Sequence, residues 1–291
     1  MTFDLIQPHT RDLGGFSVQR VLPSLPHKMV GPFIFFDHMG PATMPPGQGV
    51  DVRPHPHIGL ATVTYLFTGS MMHRDSLGSV QPIYPGDVNW MIAGRGIVHS
   101  ERNTPQEMAI ERTMHGIQSW VALPLAHEQG PASFSHYPAA TLPSIAFEGV
   151  AMSLIAGTAY GQTAPTPMLS PIFYLAVEID ANAAFDLPPE HEERAVYVVH
   201  GNVSIGGRAV PQNTMAVLTG TGSVTIAAAS KATLMLLGGA RMDGDRHINW
   251  NFVASSRELL QSARESWKTY PNEQFGQVPG ETDWIPLPEP N

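Results

Sequence analysis

Four residues in the first third of the chain have the types and spacing of a metal site. His55 and His57 lie two apart in "RPHPHIGLATVTYLFTG", and His99 and Glu101 lie two apart in "GRGIVHSE". Residues two apart on a strand point to the same face, so each pair can aim both side chains at one place. Three imidazoles and one carboxylate suit a divalent transition metal. They leave positions open in an octahedral ion, which a catalytic site needs and a closed structural site lacks. A lone His-x-His at a strand start serves equally well as a half-exposed polar pair. The second pair, placed after a glycine turn, argues for the metal. The chain has no cysteine, which excludes disulfides, thiolate zinc sites and thiol catalysis.

The elements that must position these residues read as short strands. "FSVQRVLP", "PFIFFDHMG", "ATVTYLFTG", "SMMHRD", "DVNWMIAG" and "SWVALP" are each bounded by Gly, Pro or Asp, the pattern of an all-β chain. Strands resume with "MSLIAG", "PIFYLAVEID", "RAVYVVHG", "NVSIGG", "TMAVLTG", "SVTIAA" and "ATLMLLGG". Residues 124–146, rich in Pro, Ala and Ser, read as a connection between two domains. In "SSRELLQSARESW", Ser255 stands three before Glu258, a capping-box spacing. Leu259, Leu260, Ala263 and Trp267 follow at helical intervals, predicting a helix from Ser256 to Tyr270. The proline-rich tail "QVPGETDWIPLPEP" reads as extended, docked by Trp284 and Ile285.

The two halves repeat. "ATVTYLFTG" (61–69) lies over "ERAVYVVHG" (193–201), and "PGDVNWMIAGRGIVHSE" (85–101) over "PQNTMAVLTGTGSVTIA" (211–227). Pro85, Gly94 and Gly96 then match Pro211, Gly220 and Gly222, so the chain reads as two similar β-domains in tandem. This supplies a control. The positions matching His55, His57, His99 and Glu101 are Leu187, Pro189, Thr225 and Ala227. All four candidate ligands are absent together, as expected of a set rather than of scattered polar residues.

Composition narrows the function. Hydrophobic residues are 43% of the 291, ample for a core, while charged residues are only 14% against a usual quarter or so. The formal net charge is −9 with no Lys/Arg-rich run, which disfavours direct nucleic-acid binding. No apolar run has the length of a membrane span. "MTFDLIQPHT" lacks the basic start and apolar core of a signal peptide, so a soluble cytoplasmic protein is expected.

The motifs "GQGVDVRPHPHIGLATVTYLFTGSMMHRDSLG", "PGDVNWMIAGRGIVHSE", "HGIQSWVALP" and "FIFFDHMGP" resemble the pirin family of the cupin superfamily. The resemblance covers most of the chain and is strongest over residues 30–125. "NWNFVASS" also resembles the family's C-terminal region. The resemblance implies a bicupin, two tandem jelly-roll β-barrels with a short C-terminal helix and extended tail. Residues 1–130 would be the metal-binding domain and 131–291 a cupin without metal, carrying the helix and tail. One mononuclear metal is implied, Fe(II) first and Ni, Cu, Mn or Zn as alternatives, held by His55, His57, His99 and Glu101. The family often has Glu at the position of Ala61, so here Glu101 alone supplies the carboxylate. Glu193, at the matching place in the second domain, has no ligand partners and reads as a surface or structural residue.

The implied activity is that of a quercetin 2,3-dioxygenase. A small aromatic substrate and O2 would meet at the metal, quercetin would open with release of carbon monoxide, and Glu101 would take the 3-hydroxyl proton. The family also includes metal- or redox-responsive regulators, which would use the same site and a protein partner. Among the other histidines, His38 reads as a hydrogen-bonded structural residue and His73 as solvent-facing or paired with Asp75. His115 is a candidate outer residue of the cavity, while His191 and His200 carry no ligand constellation. Met71, Met72 and Met91 read as core or pocket lining, and Arg95 as satisfying turn carbonyls or an acid.

Overall fold

The computed structural model of the chain describes residues 2–12 and 17–289. In chain order the first half holds β1 (Phe3–Ile6), β2 (His9–Asp12), β3 (Ser17–Leu22), β4 (Phe33–Met44), β5 (Asp51–His57), β6 (Leu60–Thr68), β7 (Met71–Asp75), β8 (Val80–Ile83), β9 (Val88–Ile92), β10 (Ile97–Arg102), the single turn α1 (Pro105–Met108), β11 (Arg112–Ala122) and β12 (Ser133–Tyr137). The second half holds β13 (Ser144–Phe147), β14 (Val150–Ala159), β15 (Gln162–Thr163), β16 (Ile172–Ile179), β17 (Ala184–Leu187), β18 (Glu193–His200), β19 (Val203–Ile205), β20 (Arg208–Val210), β21 (Met215–Leu218), β22 (Val224–Ala228), β23 (Ala232–Gly239), β24 (His247–Asn249), β25 (Phe252–Ala254) and α2 (Arg257–Trp267).

The internal repeat is visible in the sheets. A four-stranded sheet runs β5-β10-β7-β8 and its counterpart runs β17-β22-β19-β20. The larger sheets contain β9-β6-β11-β4 and β21-β18-β23-β16, again in one order. The fold is therefore all-β, two cupin barrels with a short C-terminal helix and an extended tail.

The segment expected as a connection, 124–146, contains β12, which joins the edge of the larger N-terminal sheet beside β9, and the start of β13. Its Pro and Ala content hid two short strands, β12 with its partner β9 elsewhere in the chain and β13 paired with the next strand, β14.

The two compact units are interleaved rather than divided near residue 130. One comprises 1–11, 19–38 and 137–242; the other comprises 12–18, 39–136 and 243–291. The N-terminal strand β1 pairs with β21 in the first of these, and α2 and the tail belong to the unit that holds the histidines.

That placement follows from apolar surface. Leu260, Ala263 and Trp267 form the buried stripe of α2 and cluster with Ile58, Val98, Phe252, Phe275 and Val278. The outer face of β5 and β10 is thus covered, and each such large side chain contributes roughly 1.5–3 kcal/mol by leaving water. The helix is shorter than expected. Ser256 is its N-cap, accepting from the Leu259 N–H at 3.3 Å, whereas the Ser255 hydroxyl donates to Glu128 at 2.6 Å. The tail docks through side chains and backbone: Trp284 packs on Tyr270 at 5.5 Å, Glu281 accepts from the Ser100 hydroxyl at 2.7 Å, the Ile285 N–H donates to Pro54 O at 2.8 Å, and Trp267 Nε1–H donates to Ile285 O at 3.1 Å. Among the described residues no helix is long and apolar enough to cross a membrane.

Candidate metal centre

The strands β5 and β10 pair antiparallel with His55 directly opposite His99 and His57 opposite Ile97. Cross-strand neighbours on one face come within about 5 Å, so the register alone gathers the three rings. Their centroids lie 4.4 Å (His55–His99), 4.9 Å (His55–His57) and 5.0 Å (His57–His99) apart. One nitrogen from each falls within a 4.8 Å group. All three are buried. The register shifts between His99 and Glu101, where β5 spends an extra residue around Arg53–Pro54. A bulge tolerates proline, which cannot give the ladder an N–H.

The hydrogen bonds decide which nitrogens are available. His55 Nδ1 donates to Arg53 O at 2.9 Å and His57 Nδ1 donates to Asn251 O at 2.9 Å. Each ring thereby keeps its Nε2 lone pair. His57 Nε2 and His99 Nε2 face each other at 3.1 Å. Two nitrogens that share an ion about 2.1 Å away at a right angle lie about 3 Å apart. Burial lowers the pKa of all three, His55 to about 4, with neighbouring rings adding to the effect. The rings are therefore neutral at pH 7, the state a metal requires. This donor set fits a divalent transition metal.

Glu101 shares the inner face but is not in the 4.8 Å group. The Thr64 hydroxyl lies 3.0 Å from Glu101 Oε1 and 2.8 Å from Gln118 Oε1. One hydroxyl proton serves one acceptor at a time. Burial raises the Glu101 pKa, against the pull of His73 and Thr64.

Sequence reasoning found one neighbour of the centre in part and missed others. His73 is buried, bonds Asp75 at 2.9 Å, and stacks on Phe134 at 4.2 Å and 11°. Its His-x-Asp spacing was the available signal, and of the two readings the pairing with Asp75 is the observed one. The Trp120 ring lies 5.2 Å from His57. Asn251 acts through a backbone carbonyl, which leaves no mark in side-chain chemistry. His38 bonds the Tyr197 hydroxyl at 2.8 Å, and Glu193 accepts from the Gly31 N–H at 2.7 Å; both are structural. His115 packs on Phe67 at 4.7 Å.

The second barrel sharpens the control and corrects its register. Leu187 stands opposite Val224, as His55 stands opposite His99. Leu187, Val224 and Ile226 belong to a continuous apolar core. Pro189 and Thr225, which sequence alignment placed at ligand positions, are exposed, and Thr225 bonds Asp186 at 2.6 Å. At the end of the barrel corresponding to the histidines, the buried Arg194 guanidinium donates to the carbonyls of Leu187, Pro188, Gly220 and Gly222 at 3.4, 3.0, 2.8 and 2.9 Å.

Comparison with known proteins agrees with this architecture. The Pirin family model matches residues 15–121 and the Pirin C-terminal cupin domain matches residues 174–273. The chain belongs to the pirin family. This pirin is 46% identical over 286 residues to a pirin-like protein of Caulobacter vibrioides, covering 96% of each chain. The crystal structure of a quercetin 2,3-dioxygenase from Acinetobacter baumannii superposes with a TM-score of 0.92 at 33% identity, covering 99% of this chain and 96% of that one. A second quercetin 2,3-dioxygenase structure from the same organism gives 0.85 at 25% identity, over 91% and 95% of the two chains.

Proposed function

We propose that this pirin is a metal-dependent dioxygenase that opens flavonols such as quercetin with O2. His55, His57, His99 and Glu101 would hold one divalent transition metal, Fe(II) being the first candidate. The observation that carries the reading is the convergence of three buried, neutral imidazoles in one barrel, where the sister barrel has the apolar Leu187 and Val224 at the paired positions. The resemblance to structures named quercetin 2,3-dioxygenase supports the substrate class.

The ion, when bound, supplies a Lewis acid and an electron source for O2. The protein's own part is proton handling and placement. Glu101, once loosened from the metal, is made more basic by burial and accepts the proton of the flavonol 3-hydroxyl. The neutral carboxyl then donates to Thr64 Oγ, and the Thr64 proton turns to Gln118 Oε1, 2.8 Å away. Trp120 beside His57 and Phe134 beside His73 present aromatic surface to the flavonol rings.

The test is anaerobic incubation of iron-loaded protein with quercetin, followed by admission of O2. Loss of flavonol absorbance with release of carbon monoxide is expected. Glu101→Gln should slow turnover about 100-fold, the scale of a lost general base. Unchanged absorbance with the wild-type protein removes the dioxygenase reading and leaves the regulatory one, in which the same site governs binding of a protein partner.

A further inference from the structure

The histidines of the centre share a need. Each must hold a proton on Nδ1 so that Nε2 is free, and each therefore needs an acceptor outside the centre. His55 and His57 use the carbonyls of Arg53 and Asn251. For His99 that place is taken by a side chain, since its Nδ1 faces His73 Nδ1 at 3.5 Å.

We propose that His73, held by Asp75, is the positioning residue that decides which nitrogen of His99 faces the metal. The inference rests on the metal-centre reading above. Asp75 is a buried carboxylate that can only accept. Its Oδ1 takes the N–H groups of Leu77 at 2.9 Å and Ser79 at 3.1 Å, and its Oδ2 lies 2.9 Å from His73 Nε2. The neutral His73 ring therefore carries its proton on Nε2, which leaves Nδ1 as an acceptor. That lone pair receives His99 Nδ1–H, and His99 Nε2 is released toward His57 Nε2.

Local structure holds the chain of contacts in line. On β10 and β7, His99 stands opposite Asp75 and Glu101 opposite His73. Phe134 stacks on the His73 ring and fixes its plane. The Asp75 turn, closed by Gly78 N–H to Asp75 O at 3.0 Å, fixes the carboxylate. His73 is not itself placed as a ligand, because Nε2 is committed to Asp75 and Nδ1 to His99.

The test uses zinc, whose protein complex is diamagnetic, as the probe. Its affinity is measured by chelator competition for wild type, His73→Phe, Asp75→Asn, the double variant and His99→Ala. His73→Phe keeps a ring to stack on Phe134 and removes the acceptor. In Asp75→Asn the backbone N–H groups retain Oδ1, so an NH2 meets His73 Nε2 and reverses its tautomer. Each single variant should bind zinc about 10–100-fold more weakly than wild type, with the double variant no weaker than the singles.

A His73→Phe affinity within twofold of wild type overturns the proposal and leaves the metal centre standing. A His73→Phe affinity as low as that of His99→Ala also overturns it, by making His73 a ligand. Wild-type protein that takes up no zinc overturns both readings. Nitrogen-15 NMR of imidazoles in zinc-loaded wild type decides independently of variant folding: Nε2–H at His73 with Nδ1–H at His99 is expected, and Nδ1–H at His73 overturns the proposal.

Discussion

The Nε2 atoms of His57 and His99 lie 3.1 Å apart, and with the Asn251 carbonyl occupying His57 Nδ1 a lone pair of His57 points straight at its neighbour. Two lone pairs at that distance repel unless a proton or a cation stands between them. The protein as purified should carry close to one equivalent of a transition metal, and His99→Ala should carry none. Elemental analysis of the two proteins side by side measures this; equal stoichiometric metal in both defeats the ligand assignment.

The same burial makes the metal-stripped protein sensitive to acid. His55 titrates at about 4 in the folded chain against about 6.5 when unfolded. Between those values the unfolded state binds the extra proton, so stability is complete above pH 6.5 and falls as pH drops toward 4. At pH 5 the loss from His55 alone is about 2 kcal/mol, with His57 and His99 acting in the same direction. Urea midpoints of chelator-treated protein at pH 7 and pH 5 give the difference. His55→Gln should flatten the profile, and an unchanged slope would remove His55 as its source.

In the second barrel one guanidinium gathers four carbonyls. Arg194→Met keeps the chain's volume and abandons those oxygens in a buried place. A destabilisation of about 3 kcal/mol follows from unsatisfied carbonyls, seen as a lower thermal midpoint, while metal content stays at the wild-type level. A parallel loss of metal would show that Arg194 supports the metal centre as well as its own barrel.

Alternating strand patterns and Gly/Pro punctuation exposed most strands, and His55, His57 and His99 were legible because period-two spacing converts directly into a shared face. The repeat was legible too, yet its register slipped by one at Thr225. Which face a strand residue takes depends on its partner: Leu187 opposite Val224 is a relation between segments, invisible along either. The β12 strand was hidden for the same reason. The Asn251 carbonyl and the approach of His73 to His99 could not be read locally, since they depend on where a distant turn or a neighbouring strand comes to rest. The placement of α2 was misjudged because its apolar stripe says that it must be covered and not by which half of the chain.

The Asn251 carbonyl has a consequence for the order of events during synthesis. His57 leaves the ribosome 194 residues before its acceptor does. At about 5–20 residues per second that is a delay of roughly 10–40 s. Through that interval nothing assigns a proton to His57 Nδ1 by this contact, and the apolar back of β5 and β10 awaits Phe252, Trp267 and Phe275. Metal loading would thus be a late step, tied to the arrival of the segment from Asn251 onward, and nascent chains halted before Asn251 should emerge without metal.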